Sequence, residues 1–475
     1  MTMKKVYITL IIYSTLTFVL IICAVTVADI SPTSLLLTGI VLSLMSPLAF
    51  RAAQGRLDLF EPLVLANIAL GIMFFMRPLA ILITGNTVHL GYDVLPTFNE
   101  ALVVSLVGIV FFQLGYFSRW GAAWARRLRP PSNFHPRRAV RAGWLFFILG
   151  TLLFGAFLAS AGGIGRVLFY LLEGRQASNN DLYISSTGYL YNGISLWVAT
   201  ALIFFVSATA GRRRGYTIPF LVITVLLLIF YGAQGTRSQM LPLVLAVPVF
   251  WCLWKIRRPK LHTLLVVSLI GFALLGWMRE IRDVGQREDM LHKLASALGA
   301  PLREARDILT GADADMFDSL ANALVVVPEQ LPFQHGATIT DILIRIVPRP
   351  LWPDKPLESN DALVDVLWPV HHSKSRAGPA FSLLGPFYAD SGIITVALGM
   401  FLAGALLATL WCWLQRYHTN VIAQMIYSMG LPFVVILMRG TIPDTLARML
   451  FMLIPLVLVM LFMGVHGSVP RKEEG

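Results

Sequence analysis

The sequence predicts an all-α polytopic membrane protein with about twelve transmembrane helices and one large loop on the outer side. Of its 475 residues, 56% are hydrophobic and only 13% are charged, whereas soluble domains carry about 25% charged residues. Uncharged apolar runs of about 20 residues, the length that spans a bilayer, recur along the chain. The net charge is +12, and the basic residues lie mainly between alternate runs, as the positive-inside rule predicts.

The apolar runs define the helices in order. The first, 6–27, follows Lys4 and Lys5 and is too long for a signal-peptide core, so it predicts an uncleaved helix with its N-terminus inside. The later runs lie near 33–50, 60–84, 99–118, 142–162, 187–209, 216–233, 239–254, 262–278, 390–413, 421–438 and 446–465.

This order predicts three parts of the chain. Residues 1–278 contain transmembrane helices 1 to 9, and residues 381–475 contain helices 10 to 12 and a short cytoplasmic tail. Between them, 279–380 form a large loop, in which leucines at helical spacing between Leu291 and Leu309 predict amphipathic helices. A loop of that length far exceeds an ordinary connection of about 4–6 residues, which indicates a functional role.

Charge predicts the orientation. The connections expected to face the cytoplasm are basic, as in Arg119 to Arg141 and Lys255 to Lys260, whereas the first two outer connections, 29–32 and 85–98, contain no Arg or Lys. Both termini are therefore predicted to be cytoplasmic and the large loop to lie outside. No basic domain exists apart from the apolar runs, so the positive charge does not indicate nucleic acid as a partner.

Arginines on the outer side are the strongest functional signal, because the charge bias opposes them and an intramembrane Arg costs at least about 2.5–3.5 kcal/mol. A guanidinium fork grips phosphate bidentately, so a converging set suits a lipid-linked phosphate or diphosphate. The alternative is that each pairs with a carboxylate, such as Asp181, Glu280 or Asp283, or with lipid headgroups. The candidate diphosphate ligands are Arg237, Arg279, Arg282, Arg345, Arg349 and Arg439, with Arg77 and Arg175 behind them.

Two residues are candidate catalytic groups. His335 could act as a base near neutral pH. Asp390, at the start of the tenth predicted helix, is either a base or a helix cap. The neighbouring pair His371 and His372 lacks the spacing of a metal site, and we expect neither a metal nor a cofactor. The sequence also lacks a P-loop, a serine nucleophile elbow and a dinucleotide fingerprint.

Several motifs resemble a known family. The outer-loop stretch 332–336 reads PFQHG and leads through 346–356, which reads IVPRPLWPDKP, to a helix-opening segment over 383–392, LLGPFYADSG. Together with GTR at 235–237, these motifs resemble bacterial oligosaccharide repeat-unit polymerases of the Wzy type. This chain has Pro386 where many relatives carry an acidic residue, which leaves the base open between His335 and Asp390.

The resemblance implies a GT-C-like, metal-independent glycosyltransferase of the bacterial inner membrane that acts on the periplasmic face. It would polymerise undecaprenyl-diphosphate-linked repeat units into a long O-antigen, capsule or exopolysaccharide, with a lipid-linked donor and acceptor. Membrane lipids and a chain-length regulator would be further partners. Two alternatives stay open: an O-antigen-ligase-like lipid-linked glycan transferase, and a polysaccharide or lipid transporter. A transporter would be expected to show repeated halves with broken helices, which the sequence does not show.

Overall fold

The computed structural model describes residues 3–25, 31–131, 133–160, 162–163, 165, 188–234, 237–256, 314–347, 352, 359–369, 380–440 and 442–464. The ninth predicted transmembrane helix, 262–278, and the amphipathic helices expected between Leu291 and Leu309 lie outside these ranges. The chain divides into two compact units, each built from separate stretches of sequence. The first unit comprises Met1–Trp124, Leu302–Trp411 and Val434–Thr445, and the second comprises Ala125–Pro301, Cys412–Phe433 and Leu446–Gly475.

The described part of the chain is mostly α-helical. In chain order its helices are α1 (Met3–Val25), α2 (Pro32–Ala53), α3 (Pro62–Gly71), α4 (Arg77–Thr84), α5 (Phe98–Phe117), α6 (Arg119–Ala125), α7 (Pro136–Ser160), α8 (Gly188–Tyr191), α9 (Ser195–Thr209), α10 (Thr217–Gln234), α11 (Arg237–Trp254), α12 (Met316–Val326), α13 (Ala337–Ile346), α14 (Ser359–Leu367), α15 (Leu384–Ser391), α16 (Ile393–Arg416), α17 (Val421–Gly430), α18 (Phe433–Arg439) and α19 (Ile442–Gly464).

Among the described residues, eight helical segments are long and apolar enough to cross a membrane. They are Pro32–Ala53, Pro62–Thr84, Phe98–Phe117, Pro136–Ser160, Asn192–Thr209, Arg214–Gly232, Ile393–Arg416 and Val421–Arg439. Shorter apolar helices, Ser14–Cys23, Gln239–Trp254 and Arg448–Phe462, fall within three more of the predicted runs. The chain is therefore a mostly α-helical multi-pass membrane protein, and the total of about twelve spans stays a prediction.

The span Pro62–Thr84 is interrupted by a π-helical turn, Ile72–Met76, between α3 and α4. Arg77 and Pro78 follow this turn directly. Because proline has no N–H to donate to the preceding turn, it disturbs the regular α-helical bonding there. Such π-turns are frequent at functional sites.

A short β-hairpin follows α4, where the sequence predicted only a connection. Strand β1 (Val88–His89) pairs antiparallel with β2 (Tyr92–Asp93). Leu90 and Gly91 between them have φ angles of 49° and 92°, as in the turns with two positive φ angles that suit two-residue hairpins. The hairpin places His89 at the end of β1.

Helix α12 comes from the predicted outer loop but is buried in the first unit. Every residue from Met316 to Val326 except Val325 is buried. Its C-terminal residues pack in a hydrophobic core with α14 and with residues near α15, including Leu363, Phe381 and Ala389. Part of the polar interval is thus an integral element of the first unit.

Helices α5 and α16 in the first unit approach each other closely at glycines. A Cβ added to Gly115 would lie 1.9 Å from the carbonyl oxygen of Phe401, and one added to Gly404 would lie 2.1 Å from that of Phe112. Lipid tails are as apolar as side chains, so transmembrane helices depend on close van der Waals packing, which small residues allow.

The second unit also packs through aromatic and small residues. The rings of Phe147 in α7 and Trp197 in α9 stack with centroids 5.0 Å apart. A Cβ added to Gly150 would lie 2.6 Å from the carbonyl oxygen of Gly193. These contacts hold α7 against the start of α9.

We expect Gly115→Ala and Gly404→Ala to lower the thermal stability of the detergent-solubilised protein. Each added methyl group forces α5 and α16 apart, at a cost of about 1–3 kcal/mol. Tryptophan fluorescence on heating gives the measurement. The control is Gly155→Ala in α7, where no heavy atom of another described part of the chain lies within 4 Å of an added Cβ; this variant should be unchanged or slightly more stable. Equal melting temperatures for all three variants would contradict the close approach.

Candidate functional site

An arginine–carboxylate pair fastens α12 to the end of a membrane span. The Nε and Nη2 atoms of Arg77 donate to Oδ2 and Oδ1 of Asp318 at 2.8 and 2.9 Å. The two side chains are only 10% and 1% exposed. A paired, bidentate geometry is the one in which buried charges are tolerated. The pair therefore joins Arg77 of the third predicted transmembrane helix to the polar interval more than 200 residues later in the chain.

His89 is held between two residues of the same helical segment. Its Nε2 lies 3.2 Å from Oδ2 of Asp315, and its Nδ1 lies 3.2 Å from Nδ2 of Asn322. The same Nδ2 group faces the backbone carbonyl oxygen of His89 at 3.4 Å, and a carbonyl can only accept. The amide NH₂ is thus the group that faces the ring, so Nδ1 accepts and Nε2–H donates to Asp315.

Burial raises the pKa of the Asp315 carboxyl group. The nearby Asp318 carboxylate raises it further, while the hydrogen bond and electrostatic interaction with His89 and the positive charge of Arg439 lower it. Arg439 at the end of α18 therefore lies close enough to interact electrostatically with Asp315. We call the group Arg77, His89, Asp315, Asp318, Asn322 and Arg439 the ionic cluster.

A second polar group, the His335 turn, comprises Gln334 to Thr338 and is bonded to the end of α15. The backbone N–H groups of Gln334 and His335 donate to the carbonyl oxygens of Ala389 and Asp390 at 3.0 and 2.9 Å. The buried Asp390 carboxylate accepts from the backbone N–H of Thr338 at 3.2 Å. Asp390 therefore satisfies a free N–H in the first turn of α13, as an N-cap side chain does.

The imidazole of His335 itself is exposed. His335 has a φ of 29°, which is unusual for a residue other than glycine and is supported by the surrounding hydrogen bonds. Its Nδ1 lies 3.1 Å from Oγ of Ser391, and that hydroxyl donates to the Asp390 carbonyl oxygen at 2.7 Å. The turn thus presents an imidazole to solvent in a defined orientation.

Aromatic rings surround the His335 turn. The Phe333 ring centroid lies 6.2 Å from that of His335 and 6.2 Å from that of Tyr388. Burial, and then the negative charge of Glu100, raise the pKa of the Tyr388 hydroxyl. Glu100 is an exposed residue in the first turn of α5. A histidine beside aromatic rings and a carboxylate offers the groups that proton transfer to or from a polar substrate requires.

The structure brings some of the predicted site residues together. Arg77 pairs with Asp318 and Arg439 interacts electrostatically with Asp315, three residues earlier, and His335 and Asp390 lie in one hydrogen-bonded group. Arg237 begins α11 and Arg345 lies in the last turn of α13, but their side chains lie outside the described part of the molecule. Outside the described residues altogether lie Arg175, Arg279, Arg282 and Arg349.

Sequence reasoning missed much of the ionic cluster. Asp315, Asp318 and Asn322 are spaced i, i+3 and i+7, the spacing of one helix face, within an otherwise apolar window. This spacing could have been recognised from the sequence of the predicted outer loop. His89 had no comparable signal, because its position depends on a two-residue hairpin turn and on a partner that is 226 residues away in sequence.

Fold and site together define a multi-pass α-helical membrane protein with two polar groups in one compact unit. The ionic cluster lies at the N-terminal end of α12, and the other end of α12 packs in the core that contains Ala389, beside the His335 turn. Comparisons with protein-family models, curated proteins and solved structures yield no match. Functional assignment therefore depends on the chemistry of these two groups.

We expect Arg77→Met to lower the free energy of unfolding by about 3–5 kcal/mol, because it leaves the buried Asp318 carboxylate without its bidentate partner. The double variant Arg77→Met with Asp318→Leu should lose less than the sum of the single changes, since no charge is left buried. Thermal unfolding in detergent measures both. The matched control, Arg126→Met, changes an exposed arginine and should have little effect. Strictly additive losses would contradict the coupling.

We expect Asp315→Asn to flatten the pH dependence of stability. Because the folded-state pKa of Asp315 is raised above its ordinary value of 3.8, the folded state holds this proton more tightly than the unfolded state. Its contribution to stability is therefore greatest at low pH and is lost as the pH rises through the raised pKa. Melting temperatures recorded between about pH 4 and pH 7 test this. Parallel curves for the variant and the unchanged protein would contradict it.

Proposed function

We propose that this protein is an integral membrane glycosyltransferase that polymerises undecaprenyl-diphosphate-linked oligosaccharide repeat units into a long surface polysaccharide. In the proposal it lies in the bacterial inner membrane, with both termini cytoplasmic and the reaction on the periplasmic face. The observation that carries the proposal is the exposed His335, held by hydrogen bonds at the end of the first unit that the charge bias assigns to the outer side.

Several contacts support a reaction at this end. Glu100 begins the span Phe98–Phe117, and Ser391 directly precedes the span Ile393–Arg416, so both neighbours of the His335 turn lie at span ends. Arg439 ends the span Val421–Arg439, and Arg77 lies seven residues before the end of the span Pro62–Thr84. Polar groups from distant parts of the sequence thus lie beside span ends, where the proposal puts the headgroup of a lipid-linked substrate.

The proposed chemistry needs a base and a stabiliser of the leaving group. A hydroxyl of the acceptor sugar attacks C1 of the donor sugar, and His335 takes the hydroxyl proton. The bond from C1 to the diphosphate oxygen breaks, and the diphosphate departs with the bonding electrons. Arginine forks that are fixed in place before the reaction stabilise that charge without reorganisation, which lowers the barrier.

Two lipid-linked substrates require two anionic sites. Helix α12 has 11 residues, so its ends are roughly 16 Å apart at about 1.5 Å per residue. In the proposal Arg439, near one end of α12, holds the diphosphate of one carrier. Arg345 and Arg349, in and after the helix that begins at the His335 turn, hold the departing diphosphate of the other. Arg77, already bonded to Asp318, anchors the ionic cluster.

In the proposal the outer loop covers the glycan groove, and Arg175, Arg237, Arg279 and Arg282 keep their predicted role as diphosphate ligands. Asp390 contributes by fixing the His335 turn through its bond to Thr338. The GT-C-like arrangement and a chain-length regulator as partner belong to the same proposal. Neither a metal nor a cofactor takes part in the step as written.

Deletion of the gene and gel analysis of surface glycan test the proposal. A single repeat unit attached to the lipid acceptor, without longer chains, is the expected product. Complete loss of attached repeats would instead favour a ligase-like transferase. Unchanged long-chain polysaccharide would contradict both forms of transferase.

We expect His335→Gln, introduced into the deletion strain, to reduce chain growth by about 100-fold or more, the usual effect of removing a general base. Arg439→Lys should also prevent chain growth, because lysine keeps the charge but lacks the planar fork. Arg237→Ala should do the same, because alanine removes the guanidinium group. Membrane insertion should stay intact in both variants. The matched control is His418→Gln, an exposed histidine whose Nδ1 lies 3.2 Å from the Gln415 carbonyl oxygen. Long chains from the His335 variant would remove this residue from the mechanism.

A further inference from the structure

We propose that Ser391 is a positioning residue that sets the tautomer of His335. It keeps the imidazole proton on Nδ1 and leaves Nε2 as the basic nitrogen that faces the acceptor sugar. The inference rests on the proposed function for its chemical use, but the tautomer itself is a property of the folded protein and is measured separately.

Counting protons on the Ser391 hydroxyl leads to this assignment. The hydroxyl has one hydrogen, and its Oγ lies 2.7 Å from the Asp390 carbonyl oxygen, which can only accept. We assign the hydrogen of Ser391 to that bond because it is the shorter of the two contacts that Oγ makes. Oγ can then meet Nδ1 of His335, 3.1 Å away, only as an acceptor. Nδ1 must carry the proton, and Nε2 keeps its lone pair.

The backbone geometry supports the same orientation. The His335 N–H donates to the Asp390 carbonyl oxygen at 2.9 Å, so that oxygen accepts both from the turn and from the Ser391 hydroxyl. A positive φ at a non-glycine residue is unfavourable and persists only where neighbouring bonds enforce it. The hydrogen bonds between the His335 turn and residues 389–391 fix the position of the imidazole ring. A base that must point one nitrogen at its substrate requires a fixed ring.

Nε2 is the nitrogen that a substrate can reach. His335 is exposed, and within the described part of the molecule no hydrogen bond to its Nε2 occurs. Among the described residues, the Asp390 carboxylate next to the turn is bonded to Thr338 N–H, and the Glu100 carboxylate interacts with the Tyr388 hydroxyl. The acceptor hydroxyl thus meets a neutral imidazole with its lone pair directed outward.

The proton-transfer step balances on these atoms. The acceptor O–H bond breaks and its proton passes to Nε2, while the oxygen forms the new bond to C1 and the diphosphate leaves with the electrons of the broken C1–O bond. The resulting imidazolium carries protons on both nitrogens, and its Nδ1–H stays bonded to Ser391. Release of the Nε2 proton to solvent restores the base.

Nitrogen NMR of the full-length protein, labelled with ¹⁵N-histidine in micelles, tests the tautomer directly. The His335 signals are identified by their loss in His335→Gln, and spectra are recorded at a pH where the ring is neutral. We expect the proton on Nδ1 in the unchanged protein and in Ser391→Thr, and a mixture of tautomers in Ser391→Ala. A proton on Nε2 in the unchanged protein would overturn the inference whatever the protein catalyses.

Kinetics with lipid-linked repeat units extracted from the deletion strain test the use of the tautomer. Ser391→Ala should lower kcat at least about tenfold with little change in KM, since a base in the wrong tautomer reacts poorly while binding persists. Ser391→Thr should restore kcat. The matched control is Thr395→Val, which removes the next hydroxyl along the chain; among the described residues this hydroxyl donates to the Gly392 carbonyl oxygen at 3.1 Å.

The outcomes separate the inference from the proposed function. Full activity of His335→Gln would remove the proposed base, while the NMR result could still support the tautomer. Loss of activity in His335→Gln together with unchanged kcat in Ser391→Ala would leave the proposed function standing and overturn the role of Ser391. Equal losses in Ser391→Ala and Thr395→Val would also overturn it, because they would indicate a general structural effect.

Discussion

The cost of burying charge in a membrane protein is the constraint on which the first unit depends. An isolated buried ion is strongly unfavourable, so each charge must meet an opposite charge or a hydrogen-bonding group. Arg77 meets Asp318, and near the other end of the same span Arg51 lies 2.9 Å from the fully buried Glu61. The first of these pairs is one of the contacts that join α12, from the polar interval, to the membrane helices.

Two histidines of the first unit, His89 and His335, differ in how many of their ring nitrogens are engaged in hydrogen bonds. Both ring nitrogens of His89 are engaged, by Asp315 and Asn322, so this ring acts as a link between the hairpin and α12. Only Nδ1 of His335 is engaged within the described structure, by Ser391. Proton counting thus assigns a structural role to one imidazole and a basic nitrogen to the other, although the sequence presents both simply as histidines in loops.

The role of Asp390 in the structure differs from both interpretations that the sequence allowed, a catalytic base and a cap of its own helix. As a base it would need an accessible carboxylate, and as a cap it would be expected to act on its own helix. Its side chain is buried and instead accepts from Thr338 in α13, which begins far from it in the chain. The carboxylate thereby determines where His335 lies, which makes the two predicted catalytic residues parts of one arrangement.

The sequence alone determined the class of fold and the positions of the long spans, because the length and apolar content of a membrane helix are local properties that the bilayer imposes. It also indicated His335 and the outer arginines through their chemistry. Only the tertiary structure decided that α12 is buried, that His89 meets Asp315, and that Ser391 meets His335. These contacts join residues far apart in the chain, so their geometry depends on helix packing and turn conformation, which no local pattern encodes.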